Sequence, residues 1–156
     1  MEVKVSKPLK KLKKQAFESG IEELIDWTDR KGYSIDFDYC VRDEYRPEEK
    51  VITISLRQGS ENRLYSLLHE CGHLILGNNE TLYAKKYPSS MKMAYCNNNK
   101  RLERSAKYKV DILTEEIDAW RKGKDLANRL EIYIDEDNYY SIMSKCVYTY
   151  IKDLAR

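Results

Sequence analysis

Residues 67–76 read Leu67-Leu68-His69-Glu70-Cys71-Gly72-His73-Leu74-Ile75-Leu76, and this stretch contains both histidines of the 156-residue chain. On a helix His69 and His73 stand one turn apart on the same face, so their imidazoles can reach one metal ion. Glu70, about 100° further round, overhangs the same point. Projection of residues 59–76 gathers Leu64, Leu67, Leu68, Cys71, Leu74 and Ile75 on the side away from the histidines. One face is therefore built for a core and the other is left for chemistry. Gly72 is a poor helix former on the histidine face, where the missing side chain lets another element approach and leaves room for a third ligand.

Working backward from the motif, residues 51–56 (VITISL) are short and β-branched, and residues 33–41 (YSIDFDYCV) alternate polar and apolar positions. Both read as strands. Residues 42–50, with Pro47 and several charges, read as a turn or loop, and residues 57–60 lead into the motif helix with Ser60 as its expected cap. Upstream, Phe17, Ile21, Leu24, Ile25 and Trp27 mark an amphipathic helix that ends near Arg30, before Lys31-Gly32. Residues 1–14 carry Lys4, Lys7, Lys10, Lys11, Lys13 and Lys14 and read as a solvated basic leader, with a nucleic-acid arm as the competing reading.

Working forward, Gly77-Asn78-Asn79 should stop the motif helix, and residues 80–109 lose clear periodicity. This segment sets Lys85, Lys86, Lys92, Lys100, Arg101, Arg104, Lys107 and Lys109 against Glu80 and Glu103, and reads as an inserted basic loop. An acidic or phosphate-bearing partner would suit it, as would plain solvation. Residues 110–130 form the second decisive helix. Ile112, Leu113, Ala119, Trp120, Gly123, Ala127 and Leu130 all fall within about 60° of Glu116, while Asp118 points almost opposite. A carboxylate centred in an apolar stripe is costly to bury without a partner, and a dication is the strongest partner on offer. Glu115, on the margin of the stripe, is the weaker alternative as ligand. After a short extended piece at 132–134, the acidic turn Asp135-Glu136-Asp137-Asn138 caps a closing helix marked by Ile142, Met143, Cys146, Val147, Tyr150, Ile151 and Leu154. The turn lacks the glycine and terminal glutamate of a calcium loop.

The length suits one domain spanning 1–156, and the net charge of +2 is too small to argue for nucleic acid by itself. No apolar run approaches the ~18 residues of a membrane span and the N-terminus has no signal-peptide core, so a cytoplasmic location and no membrane partner are expected. Cys40, Cys71, Cys96 and Cys146 form no CxxC pair and are expected to be reduced; Cys71, on the core side of the motif, reads as a small hydrophobe and not a ligand.

His69-Glu70-Cys71-Gly72-His73, followed by a helical glutamate at Glu116, resembles the zincin metallopeptidases, and within them the gluzincin group. The segment Glu116-Ile117-Asp118-Ala119-Trp120 is similar to the Glu-x-Glu-Ala segment of ImmA/IrrE-like peptidases and to small metallopeptidases encoded by phages and related mobile elements. The resemblance spans roughly residues 33–130. It implies a small α+β zincin-like domain, mostly helical, with a short β-sheet packed on the HExxH helix. It also implies one zinc ion held by His69, His73 and Glu116, with Glu70 as general base acting on a protein or peptide substrate. Trp120 stands where gluzincins often place an aspartate that holds a histidine, so that support must come from elsewhere. A metzincin pattern fails at Leu76 and Asn79, which replace its glycine and third histidine. None of the thirteen tyrosines stands out as a second catalytic donor. The competing function is a binding or regulatory module on the same fold, whose basic loop contacts protein or nucleic acid; an intact Glu70 favours the enzyme.

Overall fold

The structure, a computed structural model, describes residues 7–96 and 98–156. The first helix, α1 (Lys7–Arg30), buries Phe17, Ile21, Leu24 and Trp27 at helical spacing and is closed by Gly32 in the left-handed region, φ 79°. Residues 7–14, expected as part of a leader, are its opening turns; residues 1–6 of that stretch lie outside the described residues.

Three strands follow, β1 (Ser34–Asp38), β2 (Glu44–Arg46) and β3 (Val51–Ser55), in the order β1-β3-β2. β1 runs parallel to β3 with Phe37 opposite Ile54, and β2 runs antiparallel with Tyr45 opposite Ile52. β2 corrects the expectation of a plain turn at 42–50. Its ordering comes from side chains: Asp43 accepts the Ser55 amide at 2.7 Å, and Thr53 donates to the Arg42 carbonyl at 2.8 Å. Those contacts fix three charged or aromatic residues in an edge strand without any local alternation to announce it.

The motif helix, α2 (Ser60–Gly77), begins one residue earlier than a Ser60 cap implies, with extended Gly59 at the cap position and no side-chain cap bond, so Ser60 is not the cap. Its apolar face behaves as projected: Leu64, Leu67, Leu68, Cys71 and Leu74 are buried and Ile75 packs at the core margin. Each such leucine contributes roughly 1.5–3 kcal/mol by leaving water. The expected basic loop at 80–109 is instead largely helical, as α3 (Glu80–Lys86), α4 (Pro88–Tyr95) and α5 (Lys100–Glu103). Asn79 and Asn99 cap α3 and α5 by accepting the Leu82 and Leu102 amides at 3.0 Å, and Pro88 opens α4.

Helix α6 (Ala106–Arg129) starts from a Ser105 cap, earlier than the apolar stripe suggested, and α7 (Glu136–Leu154) is capped by Asp135 as expected. Residues 132–134 form no strand. Tyr139 of α7 donates to the buried Trp120 carbonyl of α6 at 2.7 Å. The architecture is α+β, a three-stranded mixed sheet and α1 around α2, with α6 closing the other side. Among the described residues no helix is long and apolar enough to cross a membrane.

The approach of α6 to α2 positions everything that follows. A Cβ at Gly72 would lie 2.0 Å from the Ala119 carbonyl oxygen, and one at Gly123 would lie 2.5 Å from that of Leu68. The two helices therefore touch backbone to backbone through reciprocal glycines, and no side chain fits between them. Glu116, one turn before Ala119, is carried directly against the histidine face.

Candidate metal centre

His69, Glu70 and Glu116 are buried, and His73 lies at the edge of the core. The Nε2 atoms of His69 and His73 are 3.2 Å apart; Glu116 Oε2 lies 3.1 Å from the first and Oε1 3.4 Å from the second. The Glu116 carboxylate thus lies across the two imidazoles, one oxygen toward each, and one donor atom from every residue falls within 4.8 Å of the others, while ligand atoms bonded at about 2.0–2.1 Å in a tetrahedral zinc site are ~3.3 Å apart. His69, His73 and Glu116 form the cluster among the described residues whose donor atoms converge closely enough for one ion. The room expected beside Gly72 is filled by α6, which brings the third candidate ligand with it.

Two further features fit a cation. Oε2 of Glu116 is buried without a well-aligned hydrogen bond, a state that costs about 1–3 kcal/mol. A dication facing Oε2 would satisfy that oxygen. Two imidazoles and one carboxylate are also a donor set suited to zinc more than to magnesium or calcium.

The electrostatics divide the site. Burial pushes His69 below the ordinary imidazole value. Burial acts the same way on His73, but the carboxylates of Glu115 and Glu116 outweigh it and hold that imidazole up at about 10. Burial would raise Glu116, yet its contacts with both histidines bring it down to about 2. For the side chains by themselves, positive charge thus settles on His73 and negative charge on Glu116. Burial also raises Glu70, to about 7, against the pull of His73. A carboxyl poised near neutrality can take a proton and give it back.

Several neighbours escaped the sequence reading. Trp120, where a supporting aspartate was sought, stacks on the His69 ring at a centroid distance of 4.5 Å and gives its Nδ1 no acceptor. Glu115 is not among the converging atoms; its Oε1 lies 3.5 Å from Nδ1 of His73, and its Oε2 accepts the Tyr83 hydroxyl at 2.6 Å. Tyr150 of α7 is raised by burial and by the charge of the nearby Glu116 carboxylate, and it also senses Glu70. Its only sequence signal was membership of the apolar stripe of α7. Asp118, expected to point away from the stripe, is nevertheless buried, because Lys86 of α3 and Tyr87, which follows it, cover that side, each at 2.7 Å.

A cavity of about 360 Å³ opens onto His73 and Glu115 between Tyr45 and Pro47 on one wall and Tyr83 and Met91 on the other. A larger one, about 570 Å³ beside Ile75, Leu82 and Tyr87, holds none of the converging side chains. Comparison of the chain with family models finds no match, and searches among curated proteins and solved structures likewise find none.

Proposed function

We propose that this protein is a zinc-dependent peptidase, with His69, His73 and Glu116 as ligands and Glu70 as the general base. The observation that carries this reading is the pair of Nε2 atoms 3.2 Å apart with the Glu116 carboxylate laid across them, one oxygen 3.1 Å from His69 and the other 3.4 Å from His73, beside a buried carboxyl raised to about 7. When bound, zinc supplies Lewis acidity and lowers the pKa of a water toward ~7. Glu70 would take a proton from the water whose oxygen bonds to the scissile carbonyl carbon, and would return it to the amine nitrogen as the C–N bond breaks. Its burial keeps competing solvent away while the proton is held. Tyr150, beside Glu116, offers a hydroxyl donor to the carbonyl oxygen as negative charge develops there. The substrate enters along the cavity between Tyr45 and Tyr83.

The test is Glu70→Gln, compared with wild type in cells by mapping newly formed protein termini, with metal analysis of both purified proteins. The variant should keep one zinc per chain while cleavage falls by about 100-fold or more, the scale of a lost general base. Equal cleavage by both proteins would remove Glu70 from the mechanism, and absence of bound metal in both would remove the centre.

A further inference from the structure

We infer that Glu115 is the positioning residue of His73, and that Tyr83 of α3 in turn holds Glu115, so the metal centre extends into the helical segment that follows the motif helix. This rests on reading His69, His73 and Glu116 as a metal centre.

An imidazole that ligates through Nε2 carries its proton on Nδ1, and an acceptor there fixes both tautomer and ring orientation. Both histidines turn Nε2 toward Glu116. At His73 the acceptor is present: Glu115 Oε1 stands 3.5 Å from Nδ1, on the side of the ring away from the converging atoms. That placement explains why adjacent glutamates have different tasks. They are about 100° apart on α6, so Glu116 meets the inner nitrogens while Glu115 meets an outer one.

The second oxygen of Glu115 is occupied as well. Tyr83 donates to Oε2 at 2.6 Å, a short charge-assisted bond. Tyr83 also tilts against Tyr87, its ring centroid 4.9 Å away, and Tyr87 donates to Asp118. Segment α3 is thereby fastened to α6 on both sides of Glu116. His69 is held differently, by the stacked Trp120 ring and no acceptor. The orientation of the two imidazoles therefore depends on charge at His73 and on packing at His69.

The experiment measures zinc Kd by competition with a chromophoric chelator for wild type, Glu115→Gln, Tyr83→Phe, Glu116→Gln and Tyr95→Phe. The last breaks a comparable tyrosine bond, to Glu80 at 2.6 Å, outside this chain of contacts. Glu115→Gln should weaken zinc about 10–100-fold at unchanged 1:1 stoichiometry. Tyr83→Phe should produce a smaller loss in the same direction, and Tyr95→Phe none. Cobalt-loaded Glu115→Gln should keep the visible absorption of wild type, whereas Glu116→Gln should not. Wild-type affinity in both Glu115→Gln and Tyr83→Phe overturns the inference while leaving the metal centre standing. A cobalt spectrum altered by Glu115→Gln as by Glu116→Gln also overturns it, by making Glu115 a ligand. Absence of zinc binding in wild type overturns both readings. If Glu115→Gln does not fold, Tyr83→Phe, remote from the ion, decides.

Discussion

Helix α6 is held on its two flanks by different physics. Toward α2 the contact is backbone on backbone, through Gly72 against Ala119 and Gly123 against Leu68, continued by the buried side chains of Leu126 and Ala127. Toward α3 and α4 it is polar: Tyr83 to Glu115, Tyr87 and Lys86 to Asp118, and the Ser89 and Ser90 amides to Asp111 at 2.6 and 3.2 Å. The first flank tolerates no added atom, because neither helix can retreat without opening the core. The second has directional bonds that are mostly only part-buried, the Tyr87–Asp118 bond being the enclosed one, so it can loosen one bond at a time. Rigid geometry thus fixes where Glu116 sits, and adjustable geometry surrounds the access to His73.

The largest expected effect of breaking this contrast comes from Gly72→Ala. Its methyl would need the place of the Ala119 carbonyl, so urea unfolding should show a loss of about 3 kcal/mol or more. Glu116 would be pushed off the histidines in the same step, and the metal content of any folded protein should fall. A variant with unaltered unfolding would show that α2 and α6 are not in backbone contact. Tyr87→Phe should be milder, about 1–3 kcal/mol, because Asp118 loses a hydroxyl donor but keeps Lys86. Hydrogen exchange should quicken in α3 and α4 before α2, and uniform acceleration would contradict the divided picture.

The smallest effect concerns acid. Burial would raise Asp118, but Lys86 and Tyr87 lower it below the ordinary carboxylate value. A carboxyl depressed in the folded state favours folding above its unfolded pKa, and that contribution is lost as pH falls through the folded value. Lys86 is well exposed, so screening keeps the effect modest. Between neutral and acidic pH, Asp118→Asn should lose less stability than wild type, as read from urea midpoints; equal losses would show that the Asp118 contacts are not formed.

What could be read from the chain follows the same division. Helices with their own apolar stripe were legible: the facial split around His69 and His73, and the choice of Glu116 over Glu115 as the convergent carboxylate, required only 3.6-residue periodicity. Segments ordered by their neighbours were not. β2 depends on Asp43 and Thr53, and α3 to α5 bury little of their own beyond Tyr87 at the turn between two of them. The caps Asn79 and Asn99 were visible signals, yet without a periodic stripe they read as loop residues. Asp118 shows the limit most clearly, since a wheel drawn from one helix cannot reveal that a second helix covers its polar side. The role of Glu115 was hidden for the same reason: its partners, Tyr83 and His73, lie on two other helices.

Cys71, one position after the proposed base, is wholly enclosed, and burial drives its thiol far above the ordinary value. Cys40 and Cys96, by contrast, are exposed. Alkylating reagents would therefore consume the outer thiols at once and wait for the innermost one, which becomes reachable only when the core itself comes apart. The chain carries its own clock for global opening, set inside the helix that bears both imidazoles.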